Sequence, residues 1–238
     1  MREHKMKRIF VPTSGGADWQ RLLAKPKLHW KKGASAMTAA ASWEDAAGKL
    51  PAEIEGLLTS SGEPALANLK LLAALPEWEV ALPGGDTTSH TDVLALCTNS
   101  HGLCVTAVEA KALEDFGPLV REKRAEPSTG QTARLEYLHA LLNVKHFDDA
   151  IRYQLLHRTA SAILTAQAFH AATAVMLVHA FGTPPERQGD FRAFRRAMGA
   201  TEVGSQVFKV PGSTNPTLYL AWCAGNDKYR DVQLESVV

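Results

Sequence analysis

Two acids and an amine on neighbouring β-rich runs are the residues of this 238-residue chain best suited to do chemistry. Asp92 lies in the run His90 to Thr98, and Glu109 and Lys111 close the run Leu103 to Lys111. Between the runs stands Asn99-Ser100-His101-Gly102, which is turn chemistry of hairpin length. A turn centred on Ser100 and His101 sets Asn99 opposite Gly102, Cys97 opposite Cys104 and Asp92 opposite Glu109. Side chains alternate faces along a strand and opposed residues share one, so Asp92, Glu109, Lys111 and His90 gather at one end of one sheet face. The rest of that face is Leu94, Leu96, Leu103, Val105 and Ala107.

Two carboxylates at the end of an apolar face raise each other's pKa, and a bound divalent cation removes that repulsion. Magnesium takes oxygen ligands, keeps several waters, and is held by one or two carboxylates plus substrate phosphate. The pattern points to metal-assisted phosphodiester hydrolysis, with Mg as cofactor and Mn as a substitute. The competing reading is an Asp-Glu-Lys trio that only ties strand ends together, with His90 as a hydrogen-bonded strand-end residue.

Asp92, followed after sixteen intervening residues by Glu109-Ala110-Lys111, resembles the signature of the PD-(D/E)xK, or restriction-endonuclease-like, nuclease superfamily. The stretch with Trp19, His29-Trp30 and Ser42-Trp43-Glu44 is similar to that of bacterial proteins sharing the hairpin. The resemblance implies an α/β fold with an αβββαβ core over residues 42–182, a mixed central sheet flanked by helices. It implies Asp92, Glu109 and the Ala110 carbonyl as metal ligands, and Lys111 as the group that orients water and stabilises charge on the phosphorus oxygens. Gln154 and Arg158, four apart on one helix face, match the position where such nucleases carry a Gln or a basic residue near the scissile strand. Thr91 stands where the superfamily's name has Pro, and a helix intervenes before the long one.

The elements that must position these residues are read as follows. Ser42 caps a short helix from Trp43, and a second starts at Pro51 with Ile54, Leu57 and Leu58 on one side. A third runs from Pro64 with Leu66, Leu69, Leu71, Leu72 and Leu75 inward, and Glu79 to Leu82 begins the sheet. Gln131 to Asn143 and Asp148 to Phe169 are helical, the latter started by Asp148 and Asp149. Thr173 to Phe181 is a buried strand, Asp190 to Met198 a basic helix and Thr217 to Cys223 a last strand. Without a repeat or linker, this is one domain over residues 1–238: a basic arm and lead-in (1–41), the core (42–182) and a C-terminal extension (183–238). Glu53 and Glu55 read as solvated helix residues, and His170 and His179 receive no role.

Charge is unevenly spread. Residues 1–33 hold nine basic side chains against two acidic, a net of +7, whereas the remainder carries 17 against 23, a net of −6. Neutralising nucleic-acid phosphates releases counterions, so the arm, Lys31 and Lys32 included, suits DNA as partner. Its start lacks the apolar run of a signal peptide and no stretch is long enough to span a bilayer, which makes a cytoplasmic protein the expectation, as monomer or homodimer. Cys97, Cys104 and Cys223 form no CxxC pair and read as buried thiols. GxxxxGK(S/T), HExxH, GxGxxG and GxSxG are all absent, which removes the usual support for P-loop, zincin, dinucleotide and serine-hydrolase chemistry. The second functional class left open is a fold of the same type that binds nucleic acid or a protein without cleaving.

Overall fold

The computed structural model describes residues 13, 15–85, 87–125 and 128–238. Arg2, Lys5, Lys7 and Arg8 of the basic arm lie outside them. A 3-10 turn at Gly16–Leu22 and the one-turn helix α1 (Pro26–His29) lead into α2 (Ser35–Asp45) and α3 (Ala52–Ser60). Three strands follow, β1 (Lys70–Val80), β2 (Ser89–Asn99) and β3 (Gly102–Lys111), then α4 (Val120–Ala125), α5 (Thr129–Leu141) and α6 (Tyr153–Ala168). The chain ends with β4 (Thr173–Ala180), α7 (Pro185–Ala197), β5 (Thr201–Gly204), β6 (Val207–Lys209), β7 (Thr217–Ala224) and a 3-10 turn at Asp227–Asp231.

The strands form one mixed sheet in the order β1-β2-β3-β4-β7-β6-β5. The first three make an antiparallel meander, β4 runs parallel to β3 and to β7, and β5 and β6 close the far edge antiparallel. Parallel strands need a crossover, and the one from β3 to β4 carries α6. Both sheet faces are covered. Leu94, Val105 and Ala107 pack with Leu138, Leu155, Leu156 and Phe194 on the α6 side, while Val93, Ala95 and Val108 pack with Trp43, Ile54 and Leu58 on the other. All eight residues of β4 are therefore buried, and its middle, Ala174 to Val178, is a continuous apolar run, as suits a central parallel strand.

The hairpin register agrees with the reading from the turn over Val93↔Val108 through Cys97↔Cys104 to Asn99↔Gly102, but it stops one pair short of the expected Asp92–Glu109 pair, because the Ala110 N–H bonds the Asp92 side chain instead. All three cysteines are free and buried. Four helices differ, one of them only in that the basic helix expected from Asp190 starts at Pro185. Residues 64–68 form turns, and Leu71, Leu72 and Leu75 belong to β1, because Asn68 is left-handed (φ 53°) and the backbone from Lys70 pairs along β2. The long helix starts at Tyr153 rather than Asp148: Arg152 is extended and bridges Leu119, and the Tyr153 N–H goes to the Pro118 carbonyl at 3.0 Å. Asp148 instead turns the chain by accepting from Ala150 N at 2.7 Å. The helix expected from Trp43 begins at Ser35, so Ser42 is an interior residue and the side chains Met37 to Trp43 are all buried.

Candidate functional site

Strands β2 and β3 pair up to Val93↔Val108 and then part. At the fork, Oδ2 of Asp92 accepts the Ala110 N–H at 2.7 Å, so a side chain takes the bond that a strand carbonyl would otherwise supply. One residue to either side of Ala110 stand Glu109 and Lys111, whose side chains point to the α6 face. Helix α6 offers Leu155, Leu156, Ala160 and Ile163 to the core, and that seating turns Gln154 and Arg158 toward β3.

Glu109 is the hub. Its Oε1 accepts from Lys111 Nζ at 2.6 Å and from Gln154 Nε2 at 2.7 Å, and its Oε2 from Arg158 Nε. Glu109 is 2%, Lys111 5% and Arg158 8% exposed, so this is a desolvated ion cluster. Burial by itself would raise the Glu109 pKa, but the Arg158 and Lys111 charges outweigh it and hold the carboxyl below its ordinary value. Arg158 also donates to Ser89 Oγ at 3.0 Å, and Ser89 Oγ lies 2.9 Å from His157 Nδ1. Burial, followed by the charges of Arg158 and Arg134, keeps His157 well below its usual pKa, hence neutral and able to accept from Ser89.

Ser89 is placed by the loop before β2. Arg134 donates to the carbonyls of Leu82, Pro83, Gly85 and Thr87 and to Thr87 Oγ1. Gly84 (φ 84°) rests so close to α5 that a Cβ there would lie 2.2 Å from the Gly130 oxygen and 2.5 Å from Arg134 N. Helix α5 is itself fixed by a capping box between Ser128 and Gln131.

A further acid joins the fork that the sequence did not single out. Because Pro76 pairs Val93 and Trp78 pairs Thr91, Glu77 falls opposite Asp92. Glu77 is left-handed (φ 49°), which is costly for a residue with a Cβ and shifts the face alternation, so that Leu75, Trp78 and Val80 all pack on the α6 side. Glu77 and Asp92 border one small cavity whose other walls are Trp19, Leu23, Trp30, Ala36 and Ala39. Its free space of about 10 Å³ holds roughly one water. Burial and the neighbouring Glu109 charge raise Asp92 to about 7, and burial and the Asp92 charge raise Glu77 to about 8. Glu77 alternates with Glu79 in the sequence, but it lies between the helix expected from Pro64 and the strand expected from Glu79.

The structure thus brings Asp92, Glu109, Ala110, Lys111, Gln154 and Arg158 together. Arg158 is engaged inward with Glu109 and Ser89 rather than presented to solvent. Lys31 and Lys32 are exposed beside Trp30, with Lys32 Nζ 3.8 Å from Asp231. His90 Nε2 lies 3.0 Å from Thr88 Oγ1, and its Nδ1 is 3.9 Å from both Glu77 and Glu79. Glu53 is not merely solvated: it holds the fully buried His179 through Nε2 at 3.0 Å.

The oxygens at the fork are of the type that a hard cation takes. A carboxylate offers about four acceptor positions, and Glu109 uses three, leaving one on Oε2. Gln154 spends its amide NH₂ on Glu109 and leaves Oε1 buried without a partner among the described residues, an oxygen that water or a hydrated cation would satisfy. Among the described residues no group of three or more His, Cys, Asp or Glu is gathered at metal-binding distances, so the protein share would be two carboxylates. Two suffice for magnesium.

No curated protein and no solved structure matches the chain. Residues 12–227 match a family described as a domain of unknown function, DUF6946. That match spans most of the sequence, and the chain belongs to this family.

Proposed function

We propose that this protein is a Mg-dependent phosphodiesterase acting on DNA, built on a restriction-endonuclease-like core. The observation that carries the reading is the fork at Val93 and Val108, which sets Asp92 and Glu109 on parting strands with Lys111 bonded to Glu109. The order of helices, a three-stranded meander, α6 and a strand parallel to β3 supports it further.

Asp92 and Glu109 would hold the cation, with the Ala110 carbonyl beside them. When bound, Mg supplies Lewis-acid polarisation of a phosphoryl oxygen and lowers the pKa of a coordinated water. Arg158 and Gln154 fix the Glu109 carboxylate in one orientation, so no side-chain rotation is needed as charge develops. Lys111, on the same carboxylate, directs its remaining N–H bonds at a water or a phosphoryl oxygen. Lys31 and Lys32, on the surface above Trp30, would contact backbone phosphates.

Incubation of the purified chain with duplex, single-stranded and branched DNA in Mg or Mn tests this. Cutting is expected, and Lys111→Ala and Asp92→Asn are expected to remove it while the thermal transition remains cooperative. Cutting that survives both substitutions, or is indifferent to chelation, overturns the reading.

A second reading is a non-catalytic module that binds nucleic acid or a protein. The tight engagement of Glu109 by Arg158 and Lys111 favours it, since a closed ion cluster needs no cation. Calorimetry separates the two: a binding module shows DNA affinity without Mn uptake that depends on Asp92.

A further inference from the structure

Beside the Glu109 cluster, the start of α6 carries a second row of polar groups. Residues four apart share a helix face, so Tyr153 and His157 form one row and Gln154 and Arg158 the next. The inner row is spent on Glu109. In the outer row Tyr153 and His157 are half-buried, with ring centroids 5.2 Å apart. Lys123 Nζ, from α4, lies 5.5 Å over the Tyr153 ring. Its neighbour Arg124 is paired with Asp149, but Lys123 has no ion pair among the described residues. Hydrogen bonding fixes which proton the His157 ring presents. Ser89 Oγ accepts from Arg158 at 3.0 Å, so its own hydrogen goes to His157 Nδ1 at 2.9 Å. A neutral imidazole that accepts at Nδ1 carries its hydrogen on Nε2. That nitrogen has no partner among the described residues and is not enclosed, so it is an outward N–H donor held in one orientation. Besides burial, what acts most on this ring is positive charge, from Arg158, Arg134, Lys111 and Lys123. Glu109 balances Arg158 and Lys111, whereas Arg134 meets only carbonyl and hydroxyl oxygens among the described residues.

We infer that His157 Nε2, the Lys123 ammonium and the Tyr153 hydroxyl form a phosphate-binding site that seats the substrate-strand phosphate next to the scissile one. The inference rests on the phosphodiesterase reading and adds the groups that hold the strand against the cation centre. A phosphodiester offers acceptors and one negative charge, and these groups offer what it lacks: an N–H, an O–H and a positive charge. A neutral imidazole suits the place, because it donates without the desolvation cost of another cation beside Arg158 and Lys111. Adjacency follows from the helix: Tyr153 precedes Gln154 and His157 precedes Arg158, so the phosphate row stands one residue round from the row that holds Glu109.

Titration of the full chain with inorganic phosphate and with a short single-stranded oligothymidylate, both without divalent ions, tests the site apart from catalysis. The readout is the NMR resonances of the His157 ring, with sodium chloride at matched ionic strength as the control. Both probes are expected to shift the ring saturably. Lys123→Met keeps an apolar stem against Tyr153, and Tyr153→Phe keeps the ring, so neither disturbs the core. The first should weaken phosphate affinity about tenfold and the second about threefold, as befits a charged and a neutral hydrogen bond. Arg192→Met, an equal loss of charge on the exposed side of α7, should change it by less than about twofold. A shift that chloride reproduces, or an affinity that neither Lys123→Met nor Tyr153→Phe weakens, overturns the site. A shift with phosphate and none with the oligonucleotide makes it a free-anion site and overturns the strand contact. If DNA is cut and both variants keep the wild-type KM, the site is overturned and the phosphodiesterase reading stands. A saturable, Lys123-dependent shift with both probes in a chain that cuts no DNA establishes the site and removes the catalytic reading.

Discussion

The Ala110 amide donates to Asp92 at the point where the Asp92 strand leaves the Glu109 strand, so one carboxylate both closes the ladder and opens the site. Its two duties are separable. Asp92→Asn keeps an oxygen for Ala110 and should change stability by less than about 1 kcal/mol, whereas Asp92→Ala strands a buried N–H and should cost about 1–3 kcal/mol. Urea unfolding of both variants checks this, with divalent-ion affinity expected to vanish in each.

Removing one partner of the Glu109 cluster leaves uncompensated charge. Glu109→Gln and Arg158→Met should each destabilise by about 3–5 kcal/mol, and the double variant by distinctly less than their sum. A double-mutant cycle in urea gives the coupling. A purely additive result would mean that the ion pair between the two is not maintained in solution.

Protonation should track the fork acids. Asp92 at about 7 and Glu77 at about 8 lie above their ordinary 3.8 and 4.5, so the folded protein retains protons that the unfolded chain has released. Stability from these groups is complete below about pH 4 and is lost as pH rises toward about 8. Glu109 acts in the opposite sense, since its lowered pKa costs stability only as pH falls below the ordinary carboxylate range. The thermal midpoint without divalent ions should therefore fall between about pH 5 and pH 8, less steeply in Asp92→Asn, and added Mg should restore it most at the alkaline end.

Gly84→Ala should cost more than about 1 kcal/mol, because a Cβ meets the α5 backbone and the left-handed φ disfavours it. The loop carbonyls that bind Arg134 would shift with it. Urea titration together with the NMR shift of the His157 ring, which Ser89 contacts, reports both the loss and its reach.

Replacing Lys31 and Lys32 with Glu should weaken DNA binding across sequences alike and lower the slope of log affinity against log salt by about 2, one unit per lost phosphate contact. Fluorescence anisotropy over a salt series measures it, and an unchanged slope removes both lysines from the interface.

What the sequence determined by itself is local. A four-residue turn and alternating β-rich runs are interactions between near neighbours, and they suffice to set Cys97 against Cys104 and to bring Asp92, Glu109 and Lys111 to one end of a hairpin. The Gln154 and Arg158 pairing on one helix face was legible for the same reason, being a matter of helical period. Tertiary structure alone decided the rest. Leu71, Leu72 and Leu75 suit a helix and became part of a strand because β2 offered an unpaired edge. That choice, with the left-handed turn at Glu77, delivered a third acid opposite Asp92. Nor does any short-range pattern bring Trp19 and Trp30 beside the acids or Gln20 to Ser236, more than two hundred positions away. Those contacts arise because apolar rings and a buried amide must find partners wherever the folded surface supplies them.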